Sequence, residues 1–297
     1  MRLLDSISAL LQDPPPSMAF ELSEAGVAVA RLGPKTELDF RPLNPGVLAI
    51  SPLKDNVVMP DDLAIAVREL APRNGNRKRR DVALILPDYS TRVAVLDFDS
   101  FPSDAKERLS LIRFRIRKSV PFDVESAAIS YFVQPGEGKK FDVVVVVAPL
   151  EVISRYEAPF RAAGLNPGLV TTSCLAALNL VQDGGITVLA KVTGKALTMM
   201  VLQNGRLKLV RCLEVSSNGI AEIAADLYPT LVFIEDNVGS KAGRLLLCGF
   251  GERTETAREQ FQRELGVEVE PVRSPLGTPG ENNAGLLGYL KSVARNN

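Results

Sequence analysis

Residues 186–215 read ITVLAKVTGKALTMMVLQNGRLKLVRCLEV. Three apolar runs, Ile186 to Lys191, Ala196 to Leu202 and Arg206 to Val215, are divided by short polar breaks. Asn204-Gly205 marks a hairpin, because both residue types tolerate the positive φ of a two-residue turn. The segment therefore predicts three consecutive strands. A related opening stands near the N-terminus, where Met18 to Leu22 and Gly26 to Leu32 flank the polar turn Ser23, Glu24 and Ala25. Asp183-Gly184-Gly185 breaks the pattern between the two regions and marks a domain boundary. Hairpins mixed with helical patterns in each half predict α/β layers with mixed sheets, arranged as two related halves.

Between these hairpins the pattern is legible in pieces. Val82 to Leu86 reads as a strand, and Arg92 to Phe98 as a half-buried one. Phe101-Pro102-Ser103 opens a helix with Ser103 as its expected N-cap. Leu109, Ile112 and Ile116 form the apolar stripe of that helix; Arg108, Arg113, Arg115, Arg117 and Lys118 crowd the rest, and Pro121 ends it. Ala127 to Val133 is a further strand. Val143 to Val147 is an unbroken apolar run, as in a strand covered on both faces. Helical spacing extends over Asp61 to Leu70, Leu150 to Ala163 (closed by Gly164), Thr172 to Val181, Ile220 to Glu235 apart from Pro229, Thr254 to Leu265 and Ala284 to Val293. Short strands are expected at Leu245 to Leu247 and Val267 to Val269. Before them all, Leu3, Leu4, Ile7, Leu10 and Leu11 make an apolar stripe that Pro14, Pro15 and Pro16 terminate. That helix either packs on its own domain or meets a partner or membrane surface.

Composition removes several function classes. The chain of 297 residues has no histidine and no tryptophan. Serine–histidine and cysteine–histidine pairs and histidine metal ligands are thereby excluded. Cys174, Cys212 and Cys248 are too scattered for a zinc site or a disulfide framework, which suits a reducing cytoplasm. A formal net charge of zero argues against broad binding to nucleic acid. The basic run Arg77 to Arg80 lacks interleaved aromatics and reads as a solvated loop. No stretch approaches ~18 consecutive apolar residues, and the polar residues among the first twelve argue against a signal peptide.

Seen together, the elements resemble the actin-like ATPase (ribonuclease H-like) fold and, within it, the PilM family of type IV pilus assembly proteins, alongside FtsA. The residues that carry this resemblance are Arg113 to Phe122, similar to a helix running into an Ile-Pro-Phe step; Ser130-Tyr131, where the family has Asp-Tyr; the turn at Gly164-Leu165; Gly205 followed by Arg211; and the closing Asn283 to Gly288. The resemblance implies a two-lobed fold with an inserted small subdomain in domain I and one outer subdomain of domain II missing. Residues 1–17 are expected to be a helix and proline linker, 18–182 domain I with the insert at about 88–148, and 184–297 a reduced domain II.

Each nucleotide loop of the family can be sought here. The first, normally Asp-x-Gly, corresponds to Glu21-Leu22-Ser23 with Glu24 following and Gly26 closing the turn. The second, normally Asp-Ile-Gly, corresponds to Lys191-Val192-Thr193. The third, normally Gly-Gly, corresponds to Gly249-Phe250-Gly251, with a ring at a position where close backbone approach is needed. Walker-type loops are absent. The resemblance thus implies a protein that neither hydrolyses nor tightly binds ATP, with no metal and no cofactor; Lys191 as a point charge for phosphate is the opposing possibility.

Three functions compete: an adaptor in a pilus inner-membrane platform, an active actin-like ATPase or sugar-kinase relative, and a scaffold of a type II secretion or cell-division machine. The adaptor reading implies a cytoplasmic protein, peripheral at the inner membrane, that binds the cytoplasmic N-terminal peptide of a PilN-like single-pass membrane protein. Its peptide site is expected at the insert, on the strand edge Arg92 to Phe98, with Phe122 and Tyr131 lining a pocket. Arg113, Arg115 and Arg117 either attract an acidic peptide or solvate an exposed helix face.

Overall fold

The computed structural model describes residues 15–33, 35–72, 80–135, 140–182, 184–215 and 219–296. The expected N-terminal helix, the basic residues Arg77, Lys78 and Arg79, and Asp183 lie outside them.

Two five-stranded sheets share one plan. In the first, β1 (Met18–Ser23), β2 (Gly26–Arg31) and β3 (Glu37–Pro42) form an antiparallel meander, to which β4 (Asp81–Leu86) and β8 (Asn166–Thr172) add parallel strands. The order is β3-β2-β1-β4-β8. In the second, β9 (Ile186–Thr193), β10 (Ala196–Gln203) and β11 (Arg206–Glu214) repeat the meander. The strands β12 (Arg244–Cys248) and β13 (Glu268–Pro271) complete the order β11-β10-β9-β12-β13. Asn204 and Gly205 both take positive φ, 50° and 75°, in the β10–β11 turn that their sequence predicts.

Helices cover the sheets in layers. Leu63, Val67 and Leu70 of α1 (Pro60–Leu70) and Tyr156 and Phe160 of α3 (Leu150–Ala162) pack on one face of the first sheet, with Phe20 and Leu84. Ile223 and Leu227 of α5 (Ile220–Val238) and Phe261 of α6 (Thr254–Leu265) cover the outer face of the second, with Val188 and Val201. The facing sides of both sheets close on a shared layer, α4 (Ser173–Ala177) and α7 (Ala284–Asn296). Gly288 lets these helices meet: a Cβ there would stand 2.1 Å from Ala176 O.

Between β4 and β8 in sequence, α2 (Ala105–Ile116) packs on a separate three-stranded antiparallel sheet of β5 (Arg92–Phe98), β6 (Ala127–Pro135) and β7 (Phe141–Pro149), ordered β5-β7-β6. The central position of β7 explains its valine run. Val143, Val145 and Val147 face α2, while Val144 faces the core shared by the two large sheets. Asp104 rather than Ser103 caps α2, accepting from Lys106 N and Glu107 N at 2.9 and 3.0 Å. Its carboxylate oxygen is the stronger acceptor for helix N–H groups. The helix α5 runs unbroken through Pro229.

Candidate functional site

The two β-hairpins point their turns at one cleft. Glu21 and Lys191 occupy matching places, each two residues before a hydroxyl at the strand end, Ser23 or Thr193. Both charged groups are buried, at 2% and 0% exposure, beneath the cleft rather than on its wall. Lys191 Nζ lies 2.9 Å from Asp88 Oδ2 and 2.7 Å from Thr193 Oγ1. Asp88 sits in the one-turn 3-10 segment after β4 and has both oxygens engaged: Cys174 N donates to Oδ1 at 2.6 Å, and Thr198 Oγ1 to Oδ2 at 3.1 Å. Glu21 accepts from Ser173 Oγ, from Gly285 N at 3.2 Å and from Leu286 N at 2.7 Å.

The electrostatics follow from this packing. Burial pushes the Glu21 carboxyl above the ordinary carboxylate value, against the opposing pull of Lys191 and its hydrogen-bond donors. Burial alone would lower Lys191, yet Asp88 and then Glu21 hold its ammonium above the ordinary lysine value. The lysine is therefore charged and spoken for. Its ammonium lies beneath the cleft, paired with Asp88 and Thr193, and not on the cleft wall.

Above this buried layer lies an open cleft of about 740 Å³, lined by the turns, by Ser51 to Asp55 and by Tyr89 and Arg92. Ser23 spends its hydroxyl inside its own turn, donating to Gly26 O at 3.1 Å and accepting from Gly26 N at 3.2 Å. Glu24 reaches across the cleft. Its Oε1 accepts from Ile50 N at 3.3 Å, and its Oε2 would lie 3.3 Å from a Cβ on Gly194, in the opposite turn. A carboxylate thus stands between the two hairpins. The third loop behaves differently from its expected role. The Phe250 ring is buried in the second lobe against Phe261, centroids 5.9 Å apart, and takes no room from the cleft. Gly249, at φ +80°, is needed because a Cβ would meet Val192 O at 2.1 Å. Gly251, at φ +55°, follows in a short 3-10 turn.

No protein-family model and no curated protein sequence matches the chain. Solved structures do. A chain of the PilM–PilN type IV pilus biogenesis complex superposes with a TM-score of 0.78 at 18% identity, over 95% of this chain and 99% of that one. A Bacteroides thetaiotaomicron protein with an actin-like ATPase fold and unknown function gives 0.55 at 11% identity, over 91% and 94%. The chain has the actin-like fold. The cytoplasmic domain of EpsL, an inner-membrane component of the Vibrio cholerae type II secretion system, also superposes, at 0.53 and 12% identity over 94% of each chain.

Within this actin-like frame the expected peptide residues all lie on the three-stranded subdomain. Arg115 pairs with Asp97 at 3.3 Å and lies over the Phe98 ring. Arg117 pairs with Glu125 at 2.8 Å, and Arg113 stands 3.9 Å from the same carboxylate. Each arginine thus has a carboxylate neighbour within the subdomain, with Arg113 and Arg117 sharing one. Phe122 and Tyr131 are half-buried against the α2 core, Tyr131 edge-on to Phe101 at 6.0 Å. Sequence does not single out Asp88, Ser173 and Thr198, because their contacts join residues 103 to 152 positions apart. No helix of the described residues is long and apolar enough to cross a membrane.

Proposed function

We propose that the protein is a non-hydrolysing scaffold of an inner-membrane assembly platform of the type IV pilus kind, which docks the cytoplasmic peptide of a PilN-like single-pass membrane protein. The buried Lys191–Asp88 pair carries this reading. An actin-like ATPase needs acids here to position a metal-bound water, and the ammonium stands in one of their places. Glu24 adds a like charge where phosphates would enter, so the residues present do not fit a magnesium nucleotide. Without that chemistry, what the fold retains is surface. The likeness to a chain of the PilM–PilN complex supports docking of a membrane partner, with the protein held at the cytoplasmic face of the inner membrane through it. The weaker likeness to the EpsL cytoplasmic domain supports a type II secretion platform as the neighbouring reading.

Two measurements test this. Calorimetry with Mg·ATP should give no binding heat, and no phosphate should be released. Micromolar affinity, or turnover that vanishes in Glu21→Gln, would overturn the scaffold reading. The cytoplasmic segment of a single-pass membrane protein encoded beside this chain, immobilised on resin, should retain it; failure to do so removes the pilus assignment.

A further inference from the structure

Helices α5 and α6 lie side by side on the outer face of the second sheet, yet they meet water differently. The exposed positions of α6, Glu255, Thr256, Glu259, Gln262, Arg263 and Glu264, are all polar, as on an ordinary surface helix. Those of α5 include Ala221, Ala225, Tyr228, Pro229 and Val232. Tyr228 is 60% exposed and Val232 38%. Ala221, Ala225, Tyr228 and Val232 follow one another at spacings of four, three and four, which stacks them in one stripe along the helix. Ile223, Leu227 and Ile234 already bury the opposite side of the same helix. A helix apolar on both sides has the pattern of an interior element, and an exposed apolar stripe of this kind marks a contact surface. Pro229, which has no N–H, also leaves the carbonyl of Ala225 without its helical donor.

The charge around the stripe has one sign. Helix α5 carries Glu222, Asp226, Glu235 and Asp236 and no lysine or arginine. On α6, Arg258 and Arg263 stand beside Glu255 and Glu264 of their own helix, at 2.9 and 3.6 Å. We propose that this stripe is a docking face for a basic amphipathic helix of a partner protein. Its apolar side chains would cover Tyr228 and Val232, and its lysines or arginines would meet the acids of α5. Helix recognition buries anchors at three- and four-residue spacing, while charges beside the seam choose the partner. A lysine at the seam can also donate to the Ala225 carbonyl. A second copy of α5 does not suit this face, because acids would oppose acids in either orientation. An anionic lipid surface fails for the same reason. The chain's own apolar stripe, Leu3 to Leu11, brings only Arg2 as a base. The inference concerns the outer surface of the second lobe and does not rest on the scaffold reading above.

The test uses the full chain and three synthetic helical peptides of one length. The first has leucines at spacings of four, three and four flanked by lysines, the second has glutamates in place of the lysines, and the third is a scramble of the first. By fluorescence anisotropy the lysine peptide should bind at least about tenfold more tightly than either of the others. Tyr228→Asp/Val232→Asp should weaken it by about tenfold or more. Glu222→Lys/Glu235→Lys should turn the preference toward the glutamate peptide. If the aspartate pair does not fold by thermal melt, Tyr228→Ser alone should still weaken the lysine peptide. No binding of the lysine peptide, equal binding of its scramble, or affinity unchanged in the variants would overturn the proposal. So would dimerisation by light scattering that Tyr228→Asp/Val232→Asp abolishes, which assigns the stripe to a second copy. Flotation with phosphatidylglycerol vesicles that the same variant loses would overturn it too, in favour of a lipid surface.

Discussion

The two meanders make the most instructive pair in the molecule. Strands β1 and β9 hold the same place in sheets of the same order, and each puts one buried charge two residues before its end. In the first lobe that charge is Glu21, and it is answered by Ser173 and the N-terminal amides of α7. In the second it is Lys191, answered by Asp88 of the first lobe. Equivalent positions have become opposite in charge, and each is satisfied by a partner from elsewhere in the chain. A cleft of this kind is held together by its own side chains, where an acid in both places would need a cation from outside.

The largest effect should come from removing the odd member of the pair. Lys191→Met leaves Asp88 and Glu21 as buried carboxylates without their cation, and should cost about 3–5 kcal/mol in urea unfolding. A loss under about 1 kcal/mol would break the comparison, because the pair would then behave like an exposed one. Next is the shared helix layer. Gly288→Ala forces a Cβ onto the Ala176 carbonyl and should cost about 3 kcal/mol by the same measurement. A near-neutral outcome would mean that α7 is not a fixed joint between the lobes.

The acid side of the comparison has a pH signature. Burial raises the Glu21 carboxyl, so the native state binds its proton more tightly than the unfolded chain does. Its contribution is full below the ordinary carboxylate range and is lost as pH climbs through the raised value. Stability of the wild type should therefore fall over that window relative to Glu21→Gln. Parallel curves for the two proteins would sink the assignment. The smallest effect belongs to the paired arginines of α2. Arg115→Glu/Arg117→Glu breaks two exposed pairs and should change stability by about 1 kcal/mol or less. A loss above about 2 kcal/mol would mean that these pairs act as buried ones.

What the sequence conveyed depended on how locally each feature is encoded. The β10–β11 hairpin was plain because Asn204-Gly205 decides it within two residues. The valine run of β7 was equally plain, because double coverage leaves no room for alternation. Strand β3 was missed, since Glu37 to Pro42 is exposed along its whole length and mixes charge with Leu38 and Phe40. Strand β8 was hidden behind Asn166-Pro167-Gly168, which reads as a turn and yet runs parallel to β4 through a register shift. The loop residues Glu21, Ser23 and Lys191 could be found by position. Their depth could not, because it is set by Asp88, Ser173 and α7, all distant in the chain. Phe250 shows the same limit: its bulk was visible, but the direction of its ring depends on Phe261.

The three cysteines give the molecule a clock. Cys174 and Cys248 are buried in the core between the lobes, close to the Lys191 network, whereas Cys212 is half-buried and accepts from Thr198 Oγ1. Burial pushes the thiols of Cys212 and Cys248 up to about 12, and that of Cys174 well above its ordinary value. In the closed molecule burial keeps Cys174 and Cys248 as thiols and away from an alkylating reagent. Labelling of these two must wait for the core between the lobes to open. The rate at which mass accumulates on Cys174 and Cys248 therefore counts openings, with the chain's own sulfur as the recorder.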